Sequence, residues 1–164
     1  MRKILAFILL LTLSASVFGC RASEYSDSVR CYELMDSAVE QIPVNQGYND
    51  HDSEHVEYFF GEGDLFDDHS VRYSSLSSDI NEVGIFHAKD KSSAAELLAK
   101  IREYLKHELD DNRAFVESYS PSELSKLEGA EVRRYGNYVV FAVLDRDAKE
   151  KFFKTVEILL TEGK

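Results

Sequence analysis

The sequence predicts an α+β domain: a small antiparallel sheet of about four strands packed against helices, in the order α-ββ-αα-ββ-α. Three observations carry this expectation. Apolar residues recur at helical spacing in stretches near residues 27–41, 93–119 and 147–160. Between them lie two pairs of short runs that read as strands, around residues 70–88 and 130–145. The second pair turns at Gly136-Asn137, a dipeptide that tolerates the positive φ of a tight hairpin.

Residues 1–19 stand outside that domain. Arg2 and Lys3 precede an apolar run over residues 4–13, broken only by Thr12. A membrane helix needs about 20 apolar residues, so this run is too short to span a bilayer. A basic start, a short apolar core and small residues behind it describe a secretory signal. Val17-Phe18-Gly19-Cys20 then resembles the lipobox of bacterial lipoproteins, in which the cysteine thiol receives a diacylglyceryl group and the chain is cut before it. The expected organisation is a signal peptide over residues 1–19, a lipidated tether over 20–26 beginning at Cys20, and one domain over 27–163. Each buried CH₂ of an acyl chain adds about 0.8 kcal/mol, so two chains hold where one binds only marginally. This reading places the domain at the cell membrane, lipid-anchored on the extracytoplasmic face. Ordinary cleavage after Ser16 or Gly19, followed by release, is the alternative.

Without residues 1–19 the charge balance is 17 minus 30, or −13. A surface this acidic repels nucleic acid and anionic headgroups. The repulsion reaches about 8 Å at physiological salt, so a short tether holds the domain clear. The chain has two cysteines, Cys20 and Cys31. With Cys20 lipidated, Cys31 is a lone thiol; a Cys20–Cys31 disulfide is the competing state. Cys31 precedes Leu34, Met35 and Ala38 at helical spacing, as a small buried hydrophobe would. No CxxC pattern suggests structural zinc.

The first helix is expected over residues 27–41, with Val29, Tyr32, Met35, Ala38, Val39 and Ile42 on one side and Pro43 as its stop. Residues 45–70 read as irregular and acidic, except that "SEHVEYFF" forms a short helix ended by Gly61. "SVRYSSL" and "EVGIFHA" follow as strands, the latter with Val83 and Ile85 on one face and Phe86 on the other. Ser93 and Glu96 read as a capping box. The helix they open carries Leu98, Ile101, Leu105, Leu109, Val116 and Tyr119 as its stripe. At about 1.5 Å per residue it is some 40 Å long, with Asp110-Asp111-Asn112 as the expected break. Ser120-Pro121-Ser122-Glu123 reads as a second capping box, and Gly129 closes that short helix. In the closing hairpin "YVVFAVL" is continuously apolar, hence a central strand covered on both faces. Asp147 and Glu150 cap the last helix, with Phe152, Val156, Leu159 and Leu160 facing inward.

The run "INEVGIFHAKD", the long helix behind it, "ESYSPSELSKLEGAEV" and "GNYVVFAVLD" occur in this order between residues 80 and 145, within a likeness that covers roughly residues 27–160. Together they resemble a family of small bacterial lipoproteins, the domain-of-unknown-function family numbered 4358, found mainly in clostridial Gram-positive bacteria. The family pattern carries a tyrosine-glycine or similar pair in an acidic stretch; Phe60-Gly61 stands in its place here. The resemblance implies export, a lipid anchor and an α+β domain. It implies no activity and transfers no catalytic or ligand residues.

Chemistry is sparse. Residues 31–71 hold no lysine or arginine but 11 carboxylates and three histidines. Asp50, His51, Asp52, His55 and His69 are the candidate metal ligands, because His51 and His55 are four apart and share a face if helical. Zinc wants about four defined ligands. A calcium loop needs glycine where His55 stands and a bidentate glutamate where Gly61 stands. Composition favours a solvated acidic face, with a metal-binding or metal-sensing lipoprotein using segment 50–69 as the alternative. Neighbouring carboxylates favour imidazolium, so these histidines are expected to titrate above their free value if the groups lie close together. "HELDD" lacks the second histidine of the zinc-protease helix, which leaves His107 solvent-facing. No nucleophile elbow or phosphate loop is present, and no cofactor is expected. Arg133, Arg134, Lys149, Lys151 and Lys154 are expected to pair with carboxylates. Tyr48, Tyr58, Phe59, Phe60 and Phe66 read as loop anchors rather than a binding groove. The sequence thus points to a non-enzymatic domain that binds an envelope protein or small ligand and no nucleic acid.

Overall fold

The computed structural model describes residues 25–42, 47–61 and 63–163. The signal peptide, Cys20 with its lipobox, any Cys20–Cys31 pairing and Pro43 lie outside the described residues. The chain forms α1 (Cys31–Val39), β1 (Tyr48–Asp50), α2 (Ser53–Phe60), β2 (Phe66–Ser74), β3 (Glu82–Ala88), α3 (Lys91–Tyr119), a 3₁₀ turn (Pro121–Glu123), α4 (Leu124–Glu128), β4 (Glu131–Tyr135), β5 (Tyr138–Val143) and α5 (Arg146–Glu162). The fold class is α+β, with one strand more than expected.

The sheet is antiparallel throughout, in the order β1-β2-β3-β5-β4. Helices cover both faces. Side-chain alternation sends Val83, Ile85, Val140 and Ala142 toward α1 and α5, and Phe86, Val139, Phe141 and Val143 toward α2, α3 and α4. This is why "YVVFAVL" has no polar phase: all six residues of β5 are buried. At the sheet's centre Gly84 lies beneath the Phe141 ring, where an added Cβ would meet ring carbons at 2.1–2.9 Å. The edges are short or charged: β1 has three residues, and β4 carries Arg133 and Arg134.

Several boundaries differ from expectation. The lead-in at residues 27–30 is not helical; it runs beside β3 and α5, with Ser26 N donating to Leu160 O at 2.7 Å. Helix α1 opens instead at Cys31, whose amide donates to Asp68 Oδ2 on β2 at 2.8 Å. A carboxylate there complements the positive helix N-terminus. Tyr32 turns outward and Leu34 takes the buried position. Cys31 is fully buried, and burial, then the Asp68 charge, pushes its thiol pKa up, as suits a structural cysteine. Most of the described residues in the stretch 45–70 belong to β1, α2 and the first half of β2. Strand β1 escaped notice because "YND" has no alternation; it exists by pairing with residues 72–74 of β2.

Helix α3 is capped by Asp90, whose carboxylate accepts from Ser93 N at 2.8 Å, so the capping box at Ser93 and Glu96 is not formed. The helix runs unbroken through residues 110–112, where Asn112 donates to Glu108 at 3.0 Å and Arg113 pairs with Glu128 at 2.7 Å. Ser120 makes no side-chain cap; Glu123 accepts from Ile80 N and pairs with Lys126 instead. Asp145, not Asp147 or Glu150, caps α5. Glu150 pairs with Arg133, which also holds Glu131 and lies over the Phe153 ring. Lys149 pairs with Glu131, Arg134 bonds the Gly136 carbonyl, and Lys151 and Lys154 stand exposed. Among the described residues no helix is long and apolar enough to cross a membrane.

Candidate functional site

A cleft of about 330 Å³ opens where the starts of α2 and β3 meet the second half of α3. Its apolar side is made by Phe115, Val116, Leu127 and Val143, and its polar side by His51, His55, Glu82 and Glu108. The turn from β2 to β3 forms one wall. Lys126 on α4 fixes that turn by bonding Asp79 at 2.9 Å and Glu123 at 2.7 Å, with Glu123 also accepting from Ile80 N at 3.3 Å.

The polar side is built from backbone-anchored residues. His51 leaves β1 with its amide bonded to Val71 O at 2.9 Å. Asp52 is the N-cap of α2 and accepts from His55 N at 2.8 Å. The chain therefore turns between the two histidines and stacks their rings, with centroids 3.7 Å apart and planes 11° from parallel. Glu82 begins β3 on the face shared with Gly84 and Phe86, and its carboxylate is nearly buried. His51 Nε2 lies 3.3 Å from Glu82 Oε1. The Tyr104 hydroxyl, from α3, reaches both carboxylate oxygens at 2.9 and 2.8 Å.

Two buried polar atoms of the cleft lining are left over, Asn81 Oδ1 and one from His55. His55 Nε2 is buried and has no hydrogen-bond partner among the described residues. A buried polar group without a partner costs about 1–3 kcal/mol, which favours a ligand atom at His55 Nε2. Burial, then the adjacent His51, holds the His55 pKa below its ordinary value of 6.5, against the pull of Glu82 and Asp52. Burial and the Glu82 charge push up both the Tyr104 hydroxyl and the Glu108 carboxyl.

Of the five candidate ligands, the structure brings together His51 and His55 only. Asp50 bonds Arg72 at 2.8 Å at the sheet edge, and Asp52 is occupied as a helix cap. His69 lies on β2 with its ring against Phe66 and Phe86, and burial against them lowers its pKa. The expectation that these histidines titrate above their free value is therefore overturned for His55 and His69. Burial outweighs Glu82 and Asp52 at His55, where His51 adds to it, and outweighs Asp68 at His69. His107 is exposed, as expected of a charged helix face. Phe60 and Phe66 are core residues, whereas Tyr58 is 81% exposed, with its ring edge-on to Phe59 rather than packed on the core.

Sequence reasoning missed Glu82 and Tyr104. The available signal was parity: Glu82 has the phase of Phe86 in an otherwise apolar strand, which aims its charge at the helix layer. Tyr104 follows Ile101 by three residues on the buried face of α3.

A family model described as "Domain of unknown function (DUF4358)" matches residues 40–144, from the end of α1 past the end of β5. No curated protein and no solved structure matches the chain.

Proposed function

The chain belongs to the DUF4358 family of unknown function, and on that premise we propose an exported, lipid-anchored domain that binds a small, partly apolar ligand without transforming it. The anchor half of this reading rests on the basic-apolar leader and Val17-Phe18-Gly19-Cys20. The binding half rests on one observation, the cleft with an apolar wall ending in His51, His55 and Glu82. Concave sites with apolar walls and a few convergent polar groups are where small ligands bind. Strong net negative charge supports a partner that is neither nucleic acid nor an anionic membrane surface.

Two experiments test the halves. For the anchor, mass spectrometry of the processed chain should find a diacylglyceryl group on Cys20, and Cys20→Ala should release the protein from membranes. An unmodified Cys20 overturns this half. For the cleft, the neutral apolar fluorophore N-phenylnaphthylamine should bind saturably, and Phe115→Glu should abolish binding. Phe115 is 62% exposed, so that change leaves the core intact. Unsaturable binding, or binding that survives Phe115→Glu, overturns this half. Glu82 and Glu108 line the same cleft, a carboxylate pair of the kind acid–base hydrolysis uses. Recovery of a cleaved ligand from the wild-type chain that Glu108→Gln abolishes would replace the non-enzymatic reading.

A further inference from the structure

We propose that His51, His55 and Glu82 form a site for one divalent cation of the zinc class at the polar end of the cleft. One ligand atom from each of the three residues lies within 4.8 Å of the others. Ligands about 2.0–2.1 Å from a tetrahedral zinc sit about 3.3 Å from one another. His51 Nε2 and Glu82 Oε1 are already at that spacing, 3.3 Å.

Three further features point to an ion rather than to a chance grouping. His55 Nε2 is buried and unpartnered, and in the tautomer that keeps the proton on Nδ1 it offers a lone pair to an ion. The Tyr104 hydroxyl bonds both oxygens of the Glu82 carboxylate and so fixes its orientation, the role outer residues play for a metal-binding carboxylate. Each of the three backbones is fixed: His51 by Val71, His55 by the Asp52 cap, and Glu82 by pairing with Tyr73 and Val143. Ion capture then costs side-chain torsion rather than chain rearrangement.

The donor set selects the metal. Two imidazoles and one carboxylate suit zinc and its neighbours, whereas calcium and magnesium require shells of oxygen. Parallel rings direct their lone pairs side by side, so an ion that binds both must turn the His55 ring out of the stack. Three protein ligands leave a fourth position, and because all three line the cleft, that position is open to its contents. The ion itself does not depend on the organic ligand proposed above.

The test uses the full chain, stripped with a chelator, and zinc alone as the probe. Calorimetry and metal analysis after dialysis should give one zinc per chain, with calcium and magnesium failing to compete. His55→Ala should lower affinity by more than about 100-fold, and Tyr104→Phe by about 10- to 100-fold. His69→Ala and His87→Ala should leave it unchanged. His55 is only partly buried in a short surface helix, so its variant keeps the fold, which circular dichroism checks. Absence of zinc binding by the wild type, or binding that survives His55→Ala, overturns the proposal. Loss of zinc binding with saturable N-phenylnaphthylamine binding intact sinks the metal site alone; the reverse result sinks the cleft reading alone.

Discussion

Strand β3 has an ionisable residue near each end, Glu82 at its start and His87 before its last residue, and the two side chains lie on opposite faces of the sheet. The two ends use the same groups in different proportions. At His87 one imidazole stands between two carboxylates, with Nδ1 at 2.6 Å from Asp67 and Nε2 at 3.0 Å from Asp27. Asn137 completes the set by donating to the second oxygen of Asp27 at 3.0 Å. At Glu82 two imidazoles face one buried carboxylate, and one of their nitrogens has nothing to bond. The balanced end closes on itself and straps the lead-in to the sheet. The unbalanced end keeps a buried imidazole nitrogen for the proposed ion. Stoichiometry of donors and acceptors, rather than the presence of histidines, separates a strap from a site.

The largest expected effect addresses the strand that joins the two ends. Gly84→Val forces the buried Phe141 ring aside and should destabilise the fold by about 3 kcal/mol in urea denaturation. It should disturb both ends together, whereas the other variants act on one. Tyr104→Phe removes the hydroxyl from a nearly buried carboxylate and should cost about 2 kcal/mol, confined to the Glu82 end. Asp67→Asn should cost less than about 1 kcal/mol, because Asp67 is half exposed and solvent screens its pairing with His87. A larger loss from Asp67→Asn than from Tyr104→Phe would reverse the ranking of the two ends.

The smallest effect is a pH dependence of opposite sign. Burial disfavours the His87 imidazolium, but Asp67 and Asp27 outweigh it and raise its pKa. Its stabilisation is complete below about pH 6.5, the unfolded value, and is lost as pH rises through the folded pKa. His55 has a lowered pKa, so its contribution is complete above about pH 6.5 and is lost as pH falls through its folded value. Urea midpoints followed across this range in His87→Asn and His55→Asn should show each variant removing one limb. Histidine NMR should place the two midpoints on opposite sides of 6.5. Coincident midpoints would erase the distinction between the ends.

Much of this fold was legible where local chemistry and packing agree. Helix α2 ends at Gly61, whose φ of +96° suits glycine, and the hairpin turns at Gly136 with φ +62°. The continuous apolar run of β5 announced a strand covered on both sides. What stayed hidden depends on partners distant in the chain. Strand β1 forms only against β2, and the cap of α1 comes from Asp68, 37 residues away. The histidine pair was identified by helical spacing, yet His51 precedes the helix and meets His55 because the chain turns at Asp52. Glu82 reaches the same point through sheet register, which no window around residue 51 contains.

The most direct measurement of the central claim is imidazole NMR during zinc addition to the chelator-stripped full chain. His51 and His55 should shift together up to one equivalent, with loss of their stacking, while His69 and His87 stay in place. Movement of His87, or no movement of His55, would contradict the assignment of one end to structure and the other to binding.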